Sequence, residues 1–440
     1  MTNRMVIPGI FVSTIIISMH TLAGEQRTDF DLDDDGLIEI NDLGDLDNIR
    51  YHPNGTALYG QNLGCPETGC FGFELTTDLD FDTNQDGKLD ENDNYWNEGK
   101  GWERIGNPLA DLAYVFEATF EGNNHTITNL FIDRPDLLEV GLFGWASGAR
   151  IRNLHLDESL LYVQGAINVG SLVGLAISTQ ISNCSSKVDI KAKGVAGGLV
   201  GRSQLSHIEY SHSASLVEVS SGSSGIRAGG LVGYSYEDSI VASYASGDVS
   251  ANRYSAGGLL GFGEGETKVI ASYATGNVSA PESTGGLIGR AEDMHIEASF
   301  SIGFVNGDTL TGGLIGSAEN TNVIHSYWAT DASGQVYSAD GIGLTLAQLE
   351  CPTEANNIDC SEQTIYPAWD ELTNEDGTHY WSFGSRDQLP TLSGNKNDNK
   401  SAPKSGSVNG PNLLLLLLLS GLAWPLTKKE IGTKVRLTHK

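Results

Sequence analysis

The chain has 440 residues and carries 56 acidic side chains against 26 Lys and Arg, a formal charge of −30. A surface that negative repels nucleic acid and anionic lipid, which excludes both as partners of the folded chain. The 54 glycines are accompanied by plentiful aliphatic residues, so the composition fits neither collagen nor a disordered chain and points to short strands joined by many turns.

Residues 1–23 read as a secretory signal, with Arg4 ahead of an apolar run from Val6 to Met19 and small residues around Ala23 for cleavage. Export places the five cysteines in an oxidising compartment. Cys65 and Cys70 bracket "CPETGC", and Cys351 and Cys360 bracket "CPTEANNIDC". Each pair is expected to close a local disulfide, which leaves Cys184 as a buried thiol.

Residues 24–115 are expected to form an N-terminal cap, and its charge is lopsided: residues 27–100 hold 19 acids against four Lys or Arg. "DLDDDGLIEIND" puts Asp31, Asp33 and Asp35 at loop positions one, three and five, Gly36 at six, Ile38 at eight and Asp42 at twelve. "DTNQDGKLDEND" repeats the pattern with Asp82, Asn84, Asp86, Gly87, Leu89 and Asp93. The backbone carbonyls of Leu37 and Lys88 fall at position seven. Carboxylates this close repel one another unless a cation lies between them, and an all-oxygen donor set selects a hard ion, Ca²⁺ over Mg²⁺. Two structural calcium sites are therefore expected, coupled to folding. Asp in place of Glu at position twelve departs from the EF-hand and resembles the loops of dockerins and other extracellular calcium modules, which implies weak affinity. The aromatic segment "YWNEGKGWERIG" at 95–106 offers Tyr95, Trp96 and Trp102 either to a sugar ring or, as the favoured reading, to the closure of the first turn of a solenoid.

From residue 116 to 335 the chain repeats. "VGLFG", "GSLVG", "GGLVG" twice, "GGLLG" and "GGLIG" twice end at Gly144, Gly174, Gly201, Gly233, Gly261, Gly289 and Gly316, in steps of 27 to 32 residues. Seven residues beyond that glycine stand Ile151, Ile181, Ile208, Ile240, Ile296 and Val323, with Val269 or Ile270 filling the one slipped turn. Sixteen residues beyond stand Leu160, Ile190, Val217, Val249 and Val305, with Val278 at seventeen. Tyr244, Tyr273, Phe300 and Tyr327 are also in register. Three apolar stretches per repeat, each too short for a helix, predict three strands per turn, stacked about 4.8 Å apart. The fold class expected is all-β, a parallel β-helix (solenoid) of six to seven coils with N- and C-terminal caps.

"GGLVGYSYEDSIVASYASGDVS" and its neighbours resemble the GLUG repeat of bacterial surface proteins, over about residues 140–330. "FEATFEGNNHTITNLFI" at 116–132 and "WSFGSRDQLPTL" at 381–392 resemble the segments that commonly enter and follow such repeats. The resemblance implies an adhesin-like surface protein; some relatives are immunoglobulin-cleaving metallopeptidases. This sequence has no His-Glu-x-x-His, no Gly-x-Ser-x-Gly and no phosphate-binding loop. His125, His212 and His325 read as structural, and no acidic or basic column is evident on the outward strand positions. No catalytic residue is named. The 218–228 insertion is expected as a projecting bulge.

Residues 336–392 are expected to cap the far end and 393–412 to form a flexible linker. Residues 413–440 form an apolar run followed by a basic end, a short anchor or a tail resembling bacterial sorting signals. Membrane contact is expected through this tail alone. The functional expectation is an exported, cell-surface or secreted adhesin-like rod that meets a glycan or a surface protein. A carbohydrate-active enzyme on the same scaffold, or a ligand-free spacer, is the alternative.

Overall fold

The computed structural model describes residues 27–107, 114–220, 225–350, 365–366, 368–383 and 388–393. The signal segment, Cys351, Cys360 and the 413–440 tail lie outside them. A parallel β-helix fills the described chain: seven strands in the sheet that begins with Phe143–Ser147 mark seven coils.

One coil shows the plan. It runs Val200–Gln204, His207–Glu209, His212–Ser213, Val217–Val219 and Arg227–Gly229, one strand in each of five parallel sheets. These are the first to fifth sheets below. The expectation of three strands per turn is corrected here: the polar segments between the aliphatic peaks are themselves paired. Polar stretches such as Ser185–Ser186 and His212–Ser213, which look like turns in sequence, are held extended by the coils above and below.

The second sheet carries the main ladder. Ile38, Phe73, Phe120, Ile151, Ile181, Ile208, Ile240, Val269, Ile296 and Val323 pair in succession. All but Val323 are fully buried. Val269, not Ile270, fills the slipped turn. Ten strands at about 4.8 Å spacing extend this sheet about 43 Å. The fourth sheet stacks Ile132, Val163, Ile190, Val217, Val249, Val278 and Val305. Here the expected Leu160 is replaced by Val163: Leu160 is 55% exposed and Val163 is fully buried. The extra residues of this coil precede the strand, so counting from the glycine stops three residues short.

The glycines of the repeat act through space more than through dihedral angle. A Cβ on Gly201 would come within 2.5 Å of the Asn168 carbonyl carbon, and one on Gly197 within 2.1 Å of the Val200 oxygen. The tight corners are made instead by non-glycine residues. Ser178, Leu205, Glu237, Glu266, Asp293 and Asn320 turn from first to second sheet with φ between 48° and 65°. A left-handed conformation in a bulky residue costs of order 1–3 kcal/mol unless its surroundings impose it. Here each corner is pinned by hydrogen bonds to its neighbours, as when Glu237 N–H meets the Glu264 carbonyl and Glu266 N–H the Asp293 carbonyl.

A second device runs down the next corner. The backbone N–H of Cys184, Ser211, Ser243, Ser272 and Ser299 donates to the hydroxyl of the following coil's serine at 3.1–3.2 Å, ending on Ser326. Each of those hydroxyls donates in turn to a carbonyl two residues back. The buried hydroxyls of this serine column are thereby satisfied both as donors and as acceptors. Cys184 starts this column as a fully buried thiol, and burial pushes it up to about 12.

Outside the third sheet, His212, Tyr244, Tyr273 and Phe300 stack ring on ring at 4.6–5.0 Å, with Tyr327 next in register. Trp369 and Trp381, from the segment expected to cap the far end, lie against this column. Their indole N–H groups donate to the carbonyls of His325 and Ala298. The described residues around Trp369 and Trp381 therefore pack along the side of the coils. Trp328, which enters the interior column after Ser301, and the chain around Ser338 follow the last coil.

Candidate functional site

The two acidic loops flank the first strands of the solenoid. Leu37–Ile40 leaves the first loop and pairs with Gly72–Leu75, and Leu79–Asp80 leads into the second loop. The residues placed in the cap thus supply the first layers of the second and third sheets.

The loops share one conformation. Asp31 accepts from the backbone N–H of Asp35 and Gly36 at 3.1 and 2.9 Å, and Asp82 accepts from Asp86 and Gly87 at 3.2 and 2.8 Å. Asp33 and Asn84 each accept from position five, and Asp35 and Asp86 from position seven. Position four is left-handed in both, at φ 60° for Asp34 and 58° for Gln85. Gly36 and Gly87 follow at 89° and 80°, where a side chain is strained. Carboxylate oxygens of Asp31, Asp33 and Asp35 lie within 4.8 Å of one another. Burial raises the Asp31 carboxyl above its usual range, and the carboxylates of Asp35 and Asp33 add to that.

Position twelve differs between the loops. Asp42 turns to the short helix Leu43–Asn48 as its N-cap and accepts from Asp45 N–H at 2.9 Å. Asp93 folds back into its own loop, accepting from Thr83 and Asp90 N–H at 2.8 and 2.9 Å. Sequence reasoning passed over Glu39 at position nine. It is buried, and it accepts from Leu32 N–H at 2.5 Å and pairs with Arg27 at 3.1 Å. The Cys65–Cys70 disulfide closes the chain beside the first loop, with Cys70 Sγ 3.5 Å from Asp31.

Trp102 is fully buried and donates its indole N–H to the Leu142 carbonyl. Phe81, Tyr95 and Trp102 meet edge to face at 5.3–5.9 Å, and Trp96 stacks on Phe131. This packing closes the first coil with Trp102 and Phe81 buried, while Tyr95 and Trp96 remain half-buried. His125 pairs with Asp78 at 3.0 Å. The 218–228 insertion is no bare bulge at its ends: Val217–Val219 and Arg227–Gly229 are strands of the fourth and fifth sheets.

A site the sequence did not disclose lies at the first corner. An open groove of about 840 Å³ crosses successive coils, lined among others by His207, Glu237, Asp238, Glu266, Lys268 and Asp293. The expectation that no charged column recurs is thus corrected. Glu237, Glu266 and Asp293 are corner residues of consecutive coils, and the slipped turn hides their register from a fixed count. Beneath them Asp238 is almost completely buried, accepting from Ser206 N–H at 2.8 Å and the Ser235 hydroxyl at 2.5 Å. Burial pushes its carboxyl up to about 6 despite those donors.

A family model described as the GLUG motif matches residues 165–191, about one coil of this solenoid. Halomucin from Haloquadratum walsbyi is 30% identical over 145 residues, which are 33% of this chain and 2% of that protein. A putative Gly-rich membrane protein from Evansella cellulosilytica is 41% identical over 78 residues, 17% of this chain and 9% of that protein. The chain spans less than a tenth of the length of these curated relatives. Among solved structures, a putative immunoglobulin A1 protease from Bacteroides ovatus superposes with a TM-score of 0.48 at 17% identity, covering 81% of this chain and 92% of that one. An IgA1 protease gives 0.45 at 19%, covering 69% and 21%. The chain is a parallel β-helix with a match to the GLUG motif over one coil, and parts of it are similar to parts of Halomucin and of a putative membrane protein. Among the described residues no helix is long and apolar enough to cross a membrane.

Proposed function

We propose that the protein is an exported, cell-surface adhesin-like rod that recognises an extended partner, a glycan or a surface protein, across several of its coils. The observation that carries this reading is the corner groove, whose lining residues come from consecutive coils and so form a ladder of polar groups at fixed spacing. A stiff, repetitive scaffold suits a repetitive ligand, because its side chains are ordered before binding and little entropy is lost. In the same reading two Ca²⁺ ions, held by Asp31, Asp33, Asp35 and the Leu37 carbonyl and by Asp82, Asn84, Asp86, the Lys88 carbonyl and Asp93, tie down the first coil. The shared loop conformation supports that assignment. Asp42 would reach the first ion only by leaving its N-cap position.

A glycan array probed with the full chain, with and without chelator, tests the proposal. Binding that spans several sugars and weakens in chelator is the expected result; no binding to any glycan or surface-protein extract would overturn it. A second reading, a carbohydrate-active enzyme, draws support from the Glu237, Glu266 and Asp293 carboxylates gathered in the groove, since glycoside hydrolysis runs on carboxylate pairs. Release of reducing ends from a polysaccharide, abolished in Glu266→Gln, would favour it.

A further inference from the structure

The outward face of the first sheet carries a column that neither loop nor groove uses. Arg202, Tyr234, Phe262 and Arg290 occupy the same outward position in four consecutive coils. Arg227, from the fifth sheet, joins them from the side. Its guanidinium lies 4.8 Å from the Tyr234 ring centroid and 4.9 Å from that of Phe262. Arg202 covers the other side of Tyr234 at 4.6 Å, and Arg290 covers Phe262 at 5.2 Å. Both rings are only 6% exposed, and Val195 packs with them. Three cations therefore share two rings in a protein whose formal charge is −30.

Like charges brought together in this way repel each other. Burial pushes the Arg227 guanidinium below its usual value, and the nearby Arg202 and Arg290 push it in the same direction. Stacking on the rings offsets part of that cost, about 0.5–2 kcal/mol per contact. The nearby Tyr234 and Glu264 act the other way and hold the Arg227 guanidinium up. Arg290 pairs with Glu292, and Glu264 accepts from the Tyr234 hydroxyl. Among the described residues neither Arg202 nor Arg227 forms an ion pair; Arg202 lies beside the neutral Gln204 amide. The rings fix the guanidinium planes; Arg202 meets the Gln204 amide oxygen along its Nε–Nη2 edge and Arg290 meets Glu292, and a carboxylate or sulfate that displaces the neutral Gln204 amide would gain a paired, charge-assisted contact.

We infer that this column binds a linear acidic polysaccharide, one bearing uronate or sulfate groups, laid along the axis of the coils. The inference rests on the surface-adhesin reading and names its ligand class and a second contact face. Arg202 and Arg290 stand three coils apart, about 14 Å at about 4.8 Å per coil, with Arg227 between them. A single small anion meets one of them. An extended β-linked polysaccharide advances per sugar by close to the rise of one coil, so its charges stay in step with the column. An extended acidic peptide advances about 3.3 Å per residue and falls out of step.

The test is calorimetric titration of the full chain with β-1,4-linked oligomannuronate, with a neutral cello-oligosaccharide and poly-glutamate of matched length as controls. The variants are the triple Arg202→Gln, Arg227→Gln, Arg290→Gln and the distant Lys187→Gln, whose side chain pairs with Asp157 between the third and fourth sheets. Wild type and Lys187→Gln are expected to bind oligomannuronate with an affinity that falls with salt. The triple variant is expected to lose about tenfold or more and to show a shallower salt dependence. If the triple variant is unfolded, Arg202→Gln alone carries the comparison, because it leaves Arg227 on its rings. Undiminished binding by a folded variant, equal affinity for poly-glutamate, or no binding by wild type at low salt would overturn the inference. Wild type that binds neutral glycans but no acidic ones would remove this inference and leave the adhesin reading standing.

Discussion

Two substitutions three residues apart test the register of the coils. Val163 and Leu160 lie in one coil, and the structure assigns them opposite fates: Val163 is fully buried between Ile132 and Ile190, whereas Leu160 is 55% exposed. Val163→Ala removes two carbons from the fourth-sheet ladder, about 1.6 kcal/mol at about 0.8 kcal/mol per carbon. The coils above and below are pinned by their own hydrogen bonds and cannot collapse into the gap. A residual cavity of about 40 Å³ at about 24 cal/mol per Å³ adds about 1 kcal/mol, for a total near 2.5 kcal/mol. Leu160→Ala removes more carbon but from a side chain largely in water, so a change within about 0.5 kcal/mol is expected. Equilibrium urea unfolding measures both. Repeat arrays can lose cooperativity, so the transition is followed by far-ultraviolet circular dichroism and by tryptophan fluorescence together. An equal loss in the two variants, or a larger one in Leu160→Ala, would refute this register.

Calcium at 2 mM against a dissociation constant of about 10⁻⁴ M should stabilise the chain by about 1.8 kcal/mol per site, read as a rise in melting temperature that Asp31→Asn and Asp82→Asn each reduce; identical curves in calcium and chelator would remove both sites. Asp238 has its folded carboxyl raised to about 6 from an ordinary 3.8, so the folded state binds the extra proton between those values and loses about 3 kcal/mol of stability as pH rises from about 4 to above 6. Asp238→Asn should flatten that slope and match or exceed wild type at pH 7; an unchanged slope sinks the assignment. Cys184 should resist thiol reagents in the native state and yield one thiol on unfolding without reductant. Three thiols would instead mean that Cys351 and Cys360 are unpaired.

What the sequence made legible followed from periodicity. The buried ladder from Ile151 to Val323 could be read because its side chains recur at a nearly constant interval and face one interior. Cys184 was legible for the same reason, since small residues occupy its place in every later coil. Legibility failed wherever a coil changed length. The Leu160 position slipped by three residues, and the corner acids Glu237, Glu266 and Asp293 went unseen because the coil containing Gly265 is longer at that corner. The polar strands failed for a different reason. Ser185–Ser186 and His212–Ser213 have no strand propensity of their own and are extended only because the neighbouring coils supply their hydrogen bonds. Strand formation there is a property of the stack.

The same distinction separates the two kinds of candidate site. The acidic loops are local: all donors to one ion lie within twelve residues, so spacing along the chain announces them, and their matching dihedral angles follow from one short pattern. The groove and the arginine column are assembled across coils, from residues some 27 to 32 apart in sequence that become neighbours only after stacking. Arg202 and Arg290 are 88 positions apart in the chain, yet they stack on adjacent rings of one column. A motif search along the chain cannot find such a face, whereas aligning the coils on Val200, Val232, Leu260 and Ile288 brings it into a single column two residues on. For a solenoid the informative unit is therefore the column. A change of one residue in coil length moves a side chain out of its column and so revises function as readily as a substitution does.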